Sequence, residues 1–140
     1  MSLSKSLQEE EKKKERRRAW RLSPAETFQV KFTKGKLLKR RGQGDVKDIS
    51  GTGFFFSTPA RLRKGHKLAL SLQFPKGFPS VDSVSLDAAV TRVLRKDENG
   101  EYGIGCRILK MNQESEETVR QFLWWLELNG GEPFFDHLAV

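Results

Sequence analysis

Two stretches of the chain place chemically demanding side chains at a regular beat. Residues 12–24, KKKERRRAWRLSP, hold Arg16, Arg17 and Arg18 in a row, with Arg21 four residues after the second of them. Each guanidinium carries a rigid planar fork of donors that grips phosphates or carboxylates in pairs. Residues 45–56, DVKDISGTGFFF, offer something different: Asp48, Ser50 and Gly53 in the spacing Asp-x-Ser-x-x-Gly. Here a carboxylate acceptor and a hydroxyl lie beside glycine backbone that a ligand can approach closely. One ligand could use both stretches, giving phosphates to the arginines and purine edges to the rest.

The segments around these motifs read mostly as strands. Phe28, Val30 and Phe32 alternate with Gln29 and Lys31, the period of a half-buried strand. GQGD at 42–45 has turn chemistry and predicts a hairpin or loop before Val46–Ile49. GFFFS then makes a short apolar strand ended by Pro59, and Leu68, Leu70, Leu72 and Phe74 alternate again. A strand region over 81–95, a polar turn around Asn99-Gly100 and a last strand in YGIGCRILKM follow. Six or so short antiparallel strands indicate a small barrel or sandwich. Beyond them, Val119, Phe122, Leu123 and Leu126 form one helical stripe, with Asn112 or Ser115 as cap and NGG at 129–131 as stop. Trp124 and Leu128 fall on the back of that helix. The expectation is that Phe134 and Phe135 fold back from the tail to cover them, a second subunit or a partner being the alternative.

Composition narrows the function classes. At 140 residues the chain is one domain by length. No window suits a membrane span and the N-terminus is too polar for a signal peptide, so a soluble cytoplasmic protein is expected. Cys106 is the single cysteine and sits between Ile104 and Ile108, which points to burial rather than reactivity. The net charge of +8 is uneven: residues 31–41 hold six bases and no acid, whereas residues 111–140 hold six acids against Arg120. Anionic partners should therefore meet the first third of the chain. His66 and His137 lack neighbours of the metal-ligand or nucleophile kind, and Glu116 and Glu117 suit the first turn of a helix. No catalytic group, metal site or cofactor is expected.

The pair Arg17-x-x-x-Arg21 and Asp48-x-Ser50-x-x-Gly53 resembles the signature of the PilZ domain, a bacterial receptor module for the second messenger cyclic di-GMP. The likeness runs from about residue 15 to 128. It implies a mainly β fold, a small six-stranded antiparallel split barrel with one C-terminal helix, a PilZ-like domain over 15–128, a flexible basic arm over 1–14 and a tail over 129–140. It implies that Arg17 and Arg21 hold phosphates and guanine faces, while Asp48 and Ser50 accept from guanine N–H groups and Gly53 lets base and backbone meet. Arg16, just before the first signature arginine, would favour an intercalated pair, giving two ligand molecules per protomer. Arg92 on a later strand adds a weaker candidate guanidinium. Trp20, inside the arginine motif, fits either a cover for the ligand or one for the barrel mouth. A monomer or weak homodimer is expected, which signals by ligand-induced ordering of the segment from about Lys13 to Leu22, whose clustered bases repel one another, and acts through an unknown protein partner.

Two other classes compete with that reading. Net basicity and loops rich in Lys and Arg are the electrostatic footprint of a small-barrel RNA- or DNA-binding protein, although no interleaved aromatic stacking platform accompanies them. A PilZ-like interaction module that does not use the ligand is the other, and such modules typically lack the arginines this chain has.

Overall fold

The computed structural model describes residues 21–24, 27–35, 39–130 and 132–134. Arg16, Arg17, Trp20, the arm over 1–14, Phe135 and His137 lie outside the described residues.

The strands are β1 (Arg21–Ser23), β2 (Phe28–Lys34), β3 (Arg40–Ile49), β4 (Gly53–Thr58), β5 (Lys67–Gln73), β6 (Ser83–Leu94) and β7 (Tyr102–Lys110). After β7 come the helix α1 (Gln113–Leu128) and a last short strand β8 (Glu132–Phe134). Every pairing is antiparallel. The order β2-β5-β6-β7-β4-β3, closed by a β2–β3 pairing, makes a six-stranded barrel. Closure removes the open edges that an isolated sheet would present. Strand β3 parts from β2 and takes β1 beside Ile49, where β8 joins in turn.

Alternation decides what fills the barrel. Val30, Val46, Phe54, Phe56, Leu68, Leu72, Val90 and Ile104 are all within 2% of full burial. Burying each such side chain is worth roughly 1.5–3 kcal/mol, so the inward stripe of each strand holds its register. The GQGD stretch departs from the sequence expectation, because it lies inside β3 rather than in a turn. A Cβ on Gly42 would overlap the Phe32 ring, and one on Gly44 would overlap the Phe56 ring and the Ser57 carbonyl. Those glycines make room for aromatic rings, while the chain reverses earlier, beside Gly35 with φ 94°.

One end of the barrel is stoppered by α1. The Asn112 side chain caps it by accepting from the Ser115 amide at 2.7 Å, and Gly130, with φ 87°, lies just past its end. Phe122 enters a ring of aromatics, 4.4 Å from Phe74, 5.1 Å from Phe28 and 5.2 Å from Phe78 between centroids. Trp125, outside the predicted stripe, stacks on Phe122 at 18° and is half-buried. The expected cover of Trp124 and Leu128 by Phe134 and Phe135 lies outside the described residues, apart from the backbone of residues 132–134. Residues 132–134 pair with β1, and Leu128 remains 79% exposed and Trp124 52% exposed.

Phe122→Ala should empty the centre of this cluster and lower unfolding stability by about 3–5 kcal/mol in a denaturant titration. Cys106 is 2% exposed, and desolvation pushes its thiol from 9.0 up to about 12. A thiol reagent at mildly alkaline pH should therefore modify it only after unfolding. Because the folded thiol keeps its proton where the unfolded one has lost it, stability should fall as pH rises from 9.0 towards about 12.

Candidate ligand-binding face

Strand parity assigns the second motif to the outside of the barrel. Phe54 and Phe56 point into the core, so Phe55 between them faces outward, half-buried. Asp48 is the cross-strand partner of Phe55, Phe55 of Gly105, and Gly105 of Arg92. These four residues, from β3, β4, β7 and β6, make one row across the outer surface. Two bulges put them there: the register shifts between Val46 and Asp48 and again between Val90 and Arg92. An extra residue in a strand reverses its parity, and without it Asp48 and Arg92 would face the core.

The row is shaped by what its glycines omit. A Cβ on Gly103 would lie 2.5 Å from the Phe55 ring, and one on Gly105 would lie 3.3 Å from the Arg92 Cβ. Phe55 and Arg92 therefore settle over bare backbone. The Arg92 guanidinium stands 5.7 Å from the Phe55 ring centroid, a cation–π contact worth about 0.5–1 kcal/mol where water reaches it. The sequence reading gave GFFFS only as an apolar strand and missed Phe55; the inward places of Phe54 and Phe56 were the signal that could have found it.

Ser50 and Gly53 build the turn that ends the row. The Ser50 amide donates to the Gly53 carbonyl at 2.8 Å, and the hydroxyl donates to the same carbonyl at 3.2 Å. That hydroxyl also accepts from the amides of Thr52 and Gly53, both at 3.2 Å. A hydroxyl has one proton and two lone pairs, so all of its capacity is engaged within the turn. Gly53 is buried against β7, where a Cβ would collide with the Cys106 carbonyl. The Thr52 carbonyl, accepting from the Ile108 amide at 2.8 Å, ties the turn to β7. Gly51 is exposed and meets nothing.

The first motif approaches the second through β1. Leu22 pairs with Ile49, and antiparallel register then sets Arg21 beside Ser50 and Ser23 beside Asp48. Arg21 is thus the first residue of a strand rather than part of an open loop, and Arg16 and Arg17 precede it in sequence. Asp48 is 6% exposed. A hollow of about 800 Å³ lies elsewhere, against Lys31, Thr33, Gln43 and Ser71, and takes in none of the expected site residues. No group of three potential metal ligands occurs among the described residues.

Among curated proteins no sequence match is found, but solved structures share the architecture. The PilZ domain of YcgR from Escherichia coli, solved with c-di-GMP, aligns with TM-score 0.61 at 16% identity, over 80% of this chain and 92% of that one. MrkH from K. pneumonia aligns with TM-score 0.65 at 18% identity, and the inhibitor of motility MotI/DgrA from Bacillus subtilis with TM-score 0.61 at 16% identity. These cover 79% and 81% of this chain, which spans only 49% and 52% of theirs. The model of the PilZ domain matches residues 15–124. With the closed barrel, the stoppering helix and this match over most of its length, the chain belongs to the PilZ domain family.

Proposed function

We propose that the chain is a receptor for cyclic di-GMP and binds it, without turnover, on the outer face marked by Asp48, Phe55 and Arg92. The observation that carries this reading is the register: two bulges and β1 bring the Asp-x-Ser-x-x-Gly turn, Arg21 and Arg92 to one side of the barrel. A dianion with two guanines needs charge neutralisation and purine recognition together, and arginine supplies both. In this reading Arg17 and Arg21 hold phosphates and guanine faces. Asp48 accepts from guanine N–H groups, Ser50 and Gly53 hold the turn that aims it, and Arg92 on Phe55 extends the stacking surface.

Arg16 would hold the second molecule of an intercalated pair, so two ligands bind per protomer. Their phosphates offset the mutual repulsion of the arginine segment and fix residues 13–20 against the barrel, and that ordering is the signal passed to a protein partner. Fixing those residues costs about 1–2 kcal/mol each, which several charge-assisted contacts are needed to offset. The protein works as a monomer or weak homodimer and is read as cytoplasmic. No helix among the described residues is long and apolar enough to cross a membrane.

Titration calorimetry tests the assignment. Arg17→Ala and Arg21→Ala should each weaken cyclic di-GMP binding by one to two orders of magnitude, the loss of a charge-assisted contact of about 1.5–3 kcal/mol. Unchanged affinity in both variants would refute it. Asp48→Asn should erode the preference for guanine over adenine in the corresponding cyclic dinucleotides. Arg16→Leu should lower the stoichiometry from two ligands to one, and ligand should slow amide exchange over residues 13–20. Protection already complete in the free protein would remove ordering as the signal.

A further inference from the structure

The end of the barrel away from α1 collects positive charge that the ligand face leaves unused. Lys34 pairs with Arg40, Leu94 with Gly103 and Thr58 with Tyr102, so the β2–β3, β4–β5 and β6–β7 connections all meet at this end. The first brings Lys39, Arg40 and Arg41, all exposed. The second runs PARLRKGHK over residues 59–67 without an acid, exposing Arg61, Arg63 and Lys64. The third adds Arg95 and Lys96 to the acids of its own turn, Asp97, Glu98 and Glu101. None of these bases makes an ion pair with a described residue; the pair that is formed, Arg120–Glu117, lies on the helix. At the opposite end α1 contributes Glu114, Glu116, Glu117 and Glu127.

The basic pole is held in place. Leu62 anchors the β4–β5 loop in the core at 4% exposure. The Arg63 amide donates to His66 Nδ1 at 3.1 Å, and the Gly65 amide and Val90 carbonyl are bonded at 2.8 Å. Lys34 Nζ reaches the Arg61 carbonyl at 3.5 Å, joining two of the three connections. Between Arg61, Arg63 and Lys64 on one side and Arg92 and Tyr102 on the other lies a cleft of about 540 Å³. Arg61 and Arg63 form no ion pair with a described residue, and guanidiniums on an anchored loop beside an open cleft suit phosphate oxygens.

We infer that this basic barrel end binds duplex nucleic acid through its phosphate backbone. A duplex carries one charge per about 1.7 Å of axis, the density that a broad unpaired basic surface best matches. Single strands are served less well, since they need exposed aromatic rings and the only aromatic at the cleft, Tyr102, lies half-buried beneath Lys96 Nζ at 5.9 Å. A lipid surface would call for exposed aromatic anchors, and this end has none among the described residues.

The test follows binding of a labelled duplex of about 20 base pairs to ligand-free full-length protein by fluorescence anisotropy as salt rises from about 50 to 200 mM. With about four phosphates contacted, affinity should fall roughly 100-fold over that range. Arg61→Ala combined with Arg63→Ala should weaken binding at least about tenfold and shallow the log–log salt slope by about 2. Arg40→Ala with Arg41→Ala should do the same. Lys76→Ala with Lys110→Ala, which removes equal charge at the other end, should change little, and all three should melt with the parent protein. The inference is overturned if the two barrel-end variants bind like the parent, if the Lys76 and Lys110 variant loses as much, or if vesicles containing phosphatidylglycerol bind more tightly than duplex. Because cyclic di-GMP is absent throughout, a failure of the receptor assignment leaves this result unaffected.

Discussion

A closed antiparallel barrel permits each strand one inward stripe and one outward stripe, and the period of two makes that choice rigid. Everything else in this molecule is arranged around that restriction. The inward stripes carry the apolar residues of six strands and hold the register against slippage, because a one-residue shift would send every one of them into water. Two of the places where the period is broken, the bulges before Asp48 and Arg92, are where the outer face acquires a carboxylate and a guanidinium. A bulge leaves one backbone residue out of the ladder, a small loss beside the burial that the flanking residues keep.

Glycine has two separate uses in this fold. Gly42 and Gly44 give up their side chains to Phe32 and Phe56 inside strand β3, and Gly53 gives up its own to the Cys106 carbonyl, so in all three the missing Cβ is a packing requirement. Gly35, Gly65, Gly100 and Gly130 instead take φ between 79° and 94°, where other residues are strained. Both kinds look alike in sequence. This is why GQGD resembled a turn when it was a strand threaded past aromatic rings.

The helix supplies closure of another kind. Phe122 sits in the aromatic ring of Phe28, Phe74 and Phe78, and α1 thereby occupies one end of the barrel with its acids facing solvent. The opposite end is left to the connections, which are basic. The helix thus brings acids to the end that it stoppers. The short strands β1 and β8 extend the sheet past the barrel and set Arg21 beside the Ser50 turn.

Much of this was legible from residues alone. Alternation in 28–32, 68–74 and 104–108 determined strands, the stripe Val119, Phe122 and Leu126 determined the helix, and the paired motifs marked the side of the chain where a ligand would be sought. Local periodicity carries such information because burial acts on each residue according to its position in the repeat. What only the tertiary structure decided was who stands beside whom. Phe55 became a surface residue through its neighbours' places, and a bulge let Arg92 join Asp48, 44 positions away in sequence. The strands β1 and β8 are three residues each, too short for any period to show, and exist because each completes the other's backbone hydrogen bonds. Pairing between distant segments depends on unsatisfied N–H and C=O groups that every residue carries alike, so no residue type announces it.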